Sequence, residues 1–230
     1  MKKIAILQSN YIPWKGYFDL ISSVDEFIIF DDMQYTRRDW RNRNKIKTSQ
    51  GVQWITIPVR TKGNYLHQIR EIEIEKNNWN IYHWKTLLQS YAKAPYLHEI
   101  ASWLEPLYFQ SEVCRLSEVN RRFIEAICLY LNIETRITNS WDYKPLGSKS
   151  ERLVDLCAQA GGTHYISGPS AKSYVDESLF TIHGIELTWF SYLNYPTYNQ
   201  LWGDFVHEVT ILDLLFNCGK SAPKYMKHVL

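Results

Sequence analysis

No apolar run in this chain approaches the ~20 residues that span a bilayer, so no transmembrane helix is expected. Only four cysteines occur in 230 residues, at Cys114, Cys128, Cys157 and Cys218. Their spacing makes neither a CxxC redox pair nor a zinc pattern, which leaves small buried hydrophobes as their reading. The seven histidines show no metal pattern, and nothing marks a Ser-His-Asp or Cys-His arrangement. The G-x-G-x-x-G fingerprint is missing after the first apolar run, which argues against a dinucleotide site. Net charge is only +2, so nucleic acid is a disfavoured partner. The opening Lys-Lys and the run IAIL superficially suggest a signal peptide, but polar residues intervene and no small-residue cleavage site follows. The expected compartment is the cytoplasm, with no metal and no tightly bound cofactor. Repeats, low-complexity tracts and linkers are absent, so a single domain over residues 1–230 is expected. Whether it forms a homo-oligomer is left open.

What is present in quantity is aromatic: 9 Trp, 16 Tyr and 9 Phe. Most of these fill a core, and the rest suit clefts that stack rings or sugars. Apolar runs at 4–8, 27–30, 53–59, 134–140, 164–168 and 185–192 read as strands, and the alternation IREIEIE at 69–75 as a strand with one wet face. Helical patterns cover 17–24, 79–109 with a break at Pro95, 116–131, 148–162, a start at 170–180, and 204–219. Residues 33–50 are too polar for a core element, and 220–230 read as a loose tail. Strands alternate with helices at both ends. The expected fold is therefore α/β: a mostly parallel sheet of Rossmann-like type flanked by helices, with 79–131 as a helical insertion or covering layer.

In such sheets ligands bind beyond the carboxyl ends of the strands. Three polar segments lie there. The first, Gln8 to Tyr17, joins a strand to a helix start, a position that favours anions. The plain alternative for this segment is a turn packed by Trp14 and Tyr11. Trp14-Lys15-Gly16-Tyr17 also stands where some nucleotidyltransferases carry His-x-Gly-His, although both histidines are missing. The second holds Asp31, Asp32 and Gln34, then a basic stretch with Arg37, Arg38, Arg41, Arg43, Lys45 and Lys47 against Asp39 alone; that local +5 leaves −3 for the rest of a chain of total +2. Its arginines suit a bidentate clamp on a pyrophosphate; with Trp40 and Tyr35 they also suit stacking on a single strand, or are simply a solvated loop. The third, Tyr165 to Lys172, offers Ser167 and Gly168 backbone N–H groups to an anion, or is plain helix capping by Ser170. His67 and His83 are candidate bases or ordinary histidines.

The strings ILQSNYIPWKGYFDLI, FIIFDDMQYTRRDWRNRNKIK, THYISGPSAKSY and ILDLLFNCG together resemble the WbqC-like family of bacterial proteins. Gln8, Tyr11, Gln34, Arg41, Asn42, Arg43, Lys47, Glu151, Arg152, Ser167, Gly168 and Tyr174 are among the residues at that pattern's polar positions; Ser9 departs from it, where proline is usual. Members are often associated with clusters for O-antigen and other surface polysaccharides. The resemblance thus implies a nucleotide-linked sugar as partner and, as the expected activity, a transferase that N-acylates or aminoacylates an amino sugar. In that reading Arg38, Arg41, Arg43 and Lys47 bind the diphosphate, Tyr11 or Trp14 stacks on a ring, and Asp31, Asp32 or His67 takes the amine proton. One alternative is an adenylating enzyme that uses Mg-ATP through Lys15 and Lys172. The other is a non-catalytic carbohydrate or nucleic-acid binding module.

Overall fold

The computed structural model describes residues 1–63, 66–110 and 114–229. Its centre is strand β1 (Lys3–Leu7), which carries the chain's first apolar run. After it come helix α1 (Lys15–Ser22) and β2 (Glu26–Ile29), then a hairpin of β3 (Arg43–Thr48) and β4 (Gly51–Thr56). Three helices follow: α2 (Trp79–Ser90), α3 (Leu97–Phe109) and α4 (Leu116–Tyr130). The chain closes with β5 (Arg136–Asn139), α5 (Lys149–Gln159), β6 (His164–Ser167), α6 (Glu177–Ile182), β7 (Glu186–Trp189) and α7 (Ile211–Cys218).

Five strands form one sheet in the order β5-β2-β1-β6-β7. Every neighbouring pair in it is parallel. The mixed α/β architecture with a parallel, Rossmann-like sheet is thus the one expected from the alternation of elements. Side chains of a strand alternate between faces, and β1 and β2 show it. Ala5, Phe27 and Ile29 enter a large core shared with α1, α2, α3, α4 and α7, whereas Ile4, Ile6 and Ile28 enter a smaller one with α5 and α6. Helices cover both faces, which is why the central strands read as unbroken apolar runs. Residues 79–131 pack into the larger core.

Gly16 has a specific role at the start of α1. The Trp14 indole folds back over it, and a Cβ there would lie 2.4 Å from the ring. Any side chain would push the indole away from Tyr192 and Tyr195, against which it packs.

Several expectations need correction. The basic stretch is not all loop. Residues 43–48 pair antiparallel with 51–56, because Ile46 reaches the core and Asn44 donates to the carbonyls of Tyr11 and Ile12 at 3.0 and 2.7 Å. Residues 69–75 are a short 3-10 turn, Ile69–Glu71, followed by isolated bridges; Ile72 and Ile74 are buried beside exposed glutamates, so the alternation reported one-sided burial without a strand ladder. The helix expected over 204–219 begins only at Ile211, where the Thr210 side chain caps it. The helix start read at 170–180 is a 3-10 turn, Pro169–Ser173, before α6.

The tail is docked, not loose. Ala222, Met226 and Val229 are buried, and the backbone N–H groups of Lys227 and His228 reach the carboxylate of Asp19, itself wholly buried on α1. Removing that carboxylate orphans two donors and frees the C-terminal segment. Asp19→Ala is expected to destabilise the chain by about 2–3 kcal/mol, read as a lower denaturant midpoint with an unchanged slope.

Candidate functional site

From β1 the chain runs outward through β2 to β5 on one side, while β6 and β7 lie on the other. The topological switch point therefore lies between β1 and β6, where ligands of open α/β sheets bind. A cavity of about 620 Å³ opens there. Ile6, Leu7 and Gln8 come from the end of β1, and Phe30 and Met33 from the chain after β2. Lys149, Arg152 and Leu153 come from the first turns of α5, and Tyr165, Ser167, Gly168, Ser170, Ala171 and Tyr174 from β6 and the turn beyond it. The wall is largely apolar, with a few convergent polar groups, as in small-molecule sites. Two cations and no carboxylate stand among the lining residues.

Arg152 organises the polar end. It donates to Asp32 Oδ2, and Ser140 Oγ donates to Asp32 Oδ1 at 2.5 Å. This pairing fixes the guanidinium at the mouth of the cavity, over the Phe30 ring at 6.0 Å. Its Nε is buried and has no protein partner among the described residues. The N-terminus of α5 adds the positive end of its dipole. Gln8 also lines the cavity, and its side-chain amide is not hydrogen-bonded within the described residues.

Of the residues expected to form a site, the structure brings Gln8, Ser167, Gly168 and Tyr174 together in this cavity. Asp32 stands behind it, joined to Arg152. The others lie elsewhere. Asp31 is wholly buried and accepts from Ser9 N at 2.8 Å, Ser9 Oγ at 2.6 Å and Ser117 Oγ at 2.5 Å. Burial pushes its carboxyl above the usual range, with those hydrogen bonds opposing. It has no open face toward a ligand. His67 lines a separate cleft with Arg37, Arg60 and three glutamates. Gln34 sits on the surface, bridged to Gln68.

The basic stretch does not converge as a clamp: Arg43, Lys45 and Lys47 share one face of β3, but the cations of the stretch are engaged by separate partners. Lys47 is buried and donates to Gln200 Oε1 at 2.8 Å and to the Asp204 carbonyl. Arg43 lies 4.1 Å from the Trp54 ring centre and donates to the Arg38 carbonyl. Arg41 ties down Asn10, and Asn42 holds the Ile57 carbonyl at 2.8 Å. Arg38 is exposed in a left-handed turn, φ 59°. Lys15 is buried, donates to the Pro196 carbonyl at 2.8 Å and faces Tyr195 and Tyr198; burial lowers its pKa to about 8. Tyr11 is wholly buried, so neither ring face is open to a ligand.

His83 is a structural histidine. Tyr11 Oη lies 2.9 Å from its Nδ1, and its Nε2 lies 3.2 Å from the Thr56 carbonyl. Nε2 must be the donor to that carbonyl, so Nδ1 accepts from Tyr11 and the ring is neutral. Burial lowers its pKa from 6.5 to about 4. Between those values the unfolded chain binds the proton and the folded one does not, so stability falls as pH drops from about 6.5 to about 4. Denaturant midpoints across that window should show the loss, and His83→Gln should flatten this part of the profile.

Lys149, Phe30 and Met33 were not foreseen as site residues, and Arg152 entered only through the family resemblance. A signal for two of them was present. Lys149 and Arg152 put two cations in the first turn of a helix, where the macrodipole disfavours them. Cations kept there point to an anion or a carboxylate held in front of the helix.

Among the described residues no helix is long and apolar enough to cross a membrane. A family model described as the WbqC-like protein family matches residues 8–225. A Mycobacterium tuberculosis protein named "Uncharacterized protein Rv1507c" is 58% identical over 228 residues, which is 99% of each chain. No solved structure matches. The family match takes in every residue that lines the cavity except Ile6 and Leu7 at the end of β1, and the chain belongs to the WbqC-like protein family.

Proposed function

We propose that this chain is a transferase that takes a nucleotide-linked amino sugar into the switch-point cavity and modifies its amine by N-acylation or aminoacylation. The observation that carries the reading is Arg152, held by Asp32 at the α5 N-terminus with a buried N–H left unpartnered beside the cavity. A guanidinium at a helix N-terminus suits the diphosphate of a nucleotide sugar. Lys149 adds a second positive charge, and the Ile6, Phe30, Met33 and Leu153 wall suits the flat or apolar parts of the ligand. Gln8, Ser167, Ser170 and Tyr174 supply the amide and hydroxyls that orient sugar hydroxyls and the amine. The diphosphate contact thereby moves from the basic hairpin to the start of α5, and the work assigned to the cavity is binding and orientation. The adenylating alternative draws no support from Lys15, whose ammonium is committed to Pro196 and two tyrosine rings.

The test is calorimetric titration with UDP- and dTDP-amino sugars, followed by mass spectrometry of each mixture with a panel of acyl and aminoacyl donors. Saturable binding and a mass gain on the sugar are expected. Absence of binding to every sugar nucleotide, with Mg-ATP binding instead, would overturn the reading.

A further inference from the structure

A second concave site lies on the other side of the loop that follows β1. Its volume is about 310 Å³, and it is lined by Asn10, Pro13, Trp14, Trp40, Asn44 and Glu208. No residue lines both this groove and the switch-point cavity. We propose that the groove binds a neutral saccharide, with the Trp40 indole as its stacking face.

Trp40 is 39% exposed and its neighbour Trp54, 5.1 Å away between ring centres, is 44% exposed. Leaving two indoles in water forgoes a large apolar burial, so their exposure calls for a partner. The pair is also held in place. Arg43 packs on Trp54 at 4.1 Å, and Lys45 Nζ lies 5.7 Å from the Trp40 ring centre. A preorganised aromatic face binds without first losing side-chain freedom.

The polar lining selects among ligands that stack. Asn10 uses its Oδ1 to hold Arg41, and its Nδ2 is without a partner among the described residues. Glu208 uses Oε2 for Lys45 at 3.0 Å and has its other oxygen open on a side chain 76% exposed. One open amide donor and one open carboxylate oxygen beside an indole suit a ring with hydroxyls at its edge and C–H groups on its face. A phosphate does not suit them. The nearby cations are already engaged, Arg43 by the Arg38 carbonyl and Trp54, and Lys45 by Glu208. The open carboxylate oxygen also repels an anion. The volume is at the small end of the ~300–1,000 Å³ range of ligand clefts, which admits a sugar more readily than a nucleotide.

The experiment is saturation-transfer NMR on the full chain with the methyl glycosides of glucose, galactose, mannose and N-acetylglucosamine. At least one should receive transfer at its ring C–H protons. Trp40→Ala should weaken that binding about tenfold, and Trp40→Phe should largely preserve it. Arg152→Gln, which alters only the other cavity, should leave it unchanged. Circular dichroism establishes that each variant is folded. The proposal is overturned if no glycoside shows transfer, if Trp40→Ala leaves transfer intact, or if UMP displaces the sugar. None of those results bears on nucleotide-sugar binding at Arg152, which the calorimetry reads separately.

Discussion

Arg152→Ala is expected to weaken binding of a UDP- or dTDP-amino sugar by roughly 10- to 100-fold. A hydrogen bond to a charged group contributes about 1.5–3 kcal/mol, and each ~1.4 kcal/mol is a factor of ten in affinity. The variant also leaves Asp32 with Ser140 as its remaining hydrogen-bond partner among the described residues, on a carboxylate only 5% exposed. Some stability will be lost with the affinity. Truncating Arg152, whose side chain is 28% exposed, opens a path for water to the Asp32 carboxylate, so the loss should fall below the ~3–5 kcal/mol typical of a fully buried pair. Arg152→Lys separates the two effects. It keeps a charge toward Asp32 and the fold, but it removes the planar fork, so affinity should still drop. Calorimetric titration reads the first effect and thermal unfolding the second. Arg43→Ala is the informative contrast: its guanidinium rests on Trp54, and nucleotide-sugar affinity should not change. If Arg152→Lys were folded and bound as tightly as the parent chain, the cavity would not be the diphosphate site.

The architecture was largely legible because the central strands and covering helices declare themselves through burial. IAIL and FIIF are short enough to read as strands buried on both faces, and the Ser148 start and Gly161-Gly162 stop frame α5. Only the second strand of the hairpin was legible, as the apolar run at 53–59; β3 is RNKIKT and offers a single apolar side chain. Its stability comes from partners remote in sequence: Gln200 and Asp204 for Lys47, and the Tyr11 and Ile12 carbonyls for Asn44. The same cause misdirected the site reading. A run of arginines and lysines looks like one electrostatic surface in sequence, yet Arg41 is engaged by Asn10, Arg43 by Trp54 and the Arg38 carbonyl, and a remote segment closes over Lys47. Gln8, Ser167 and Gly168 do come together in one cavity, as expected of strand carboxyl ends at a switch point, a rule that does not depend on side-chain direction. Arg152 was harder to see because its helix is far from β1 in sequence and is delivered to the cavity only by the β5-α5-β6 crossover.

Asp31→Ala is expected to destabilise the chain by about 3–5 kcal/mol, the largest stability effect at any expected site residue. Its carboxylate is the shared acceptor for the Ser9 N–H, the Ser9 hydroxyl and the Ser117 hydroxyl, and Asn120 closes the network by donating to Ser9 Oγ at 2.9 Å. The network joins the end of β1, the end of β2 and α4 at one point. Losing it strands three donors in a dry interior. Asp31→Asn keeps one carbonyl oxygen, and the two hydroxyls can rotate to accept from its amide, so a smaller loss of about 1–2 kcal/mol is expected. This pair of variants also decides the role of the residue. Were Asp31 the base that takes the amine proton, Asn would leave the fold intact and abolish turnover. With Asp31 as the structural junction, Asn lowers the melting temperature while the folded fraction, assayed well below that temperature, keeps its kcat. Ser9 explains why the junction tolerates so much burial. It supplies both an N–H and a hydroxyl to the same carboxylate, and Ser9→Pro would remove both, leaving Ser117 as the one donor to Asp31 among the described residues. Ser9→Pro should therefore destabilise the chain nearly as much as Asp31→Ala. Combining the two should cost far less than their sum, because each removes the same contacts.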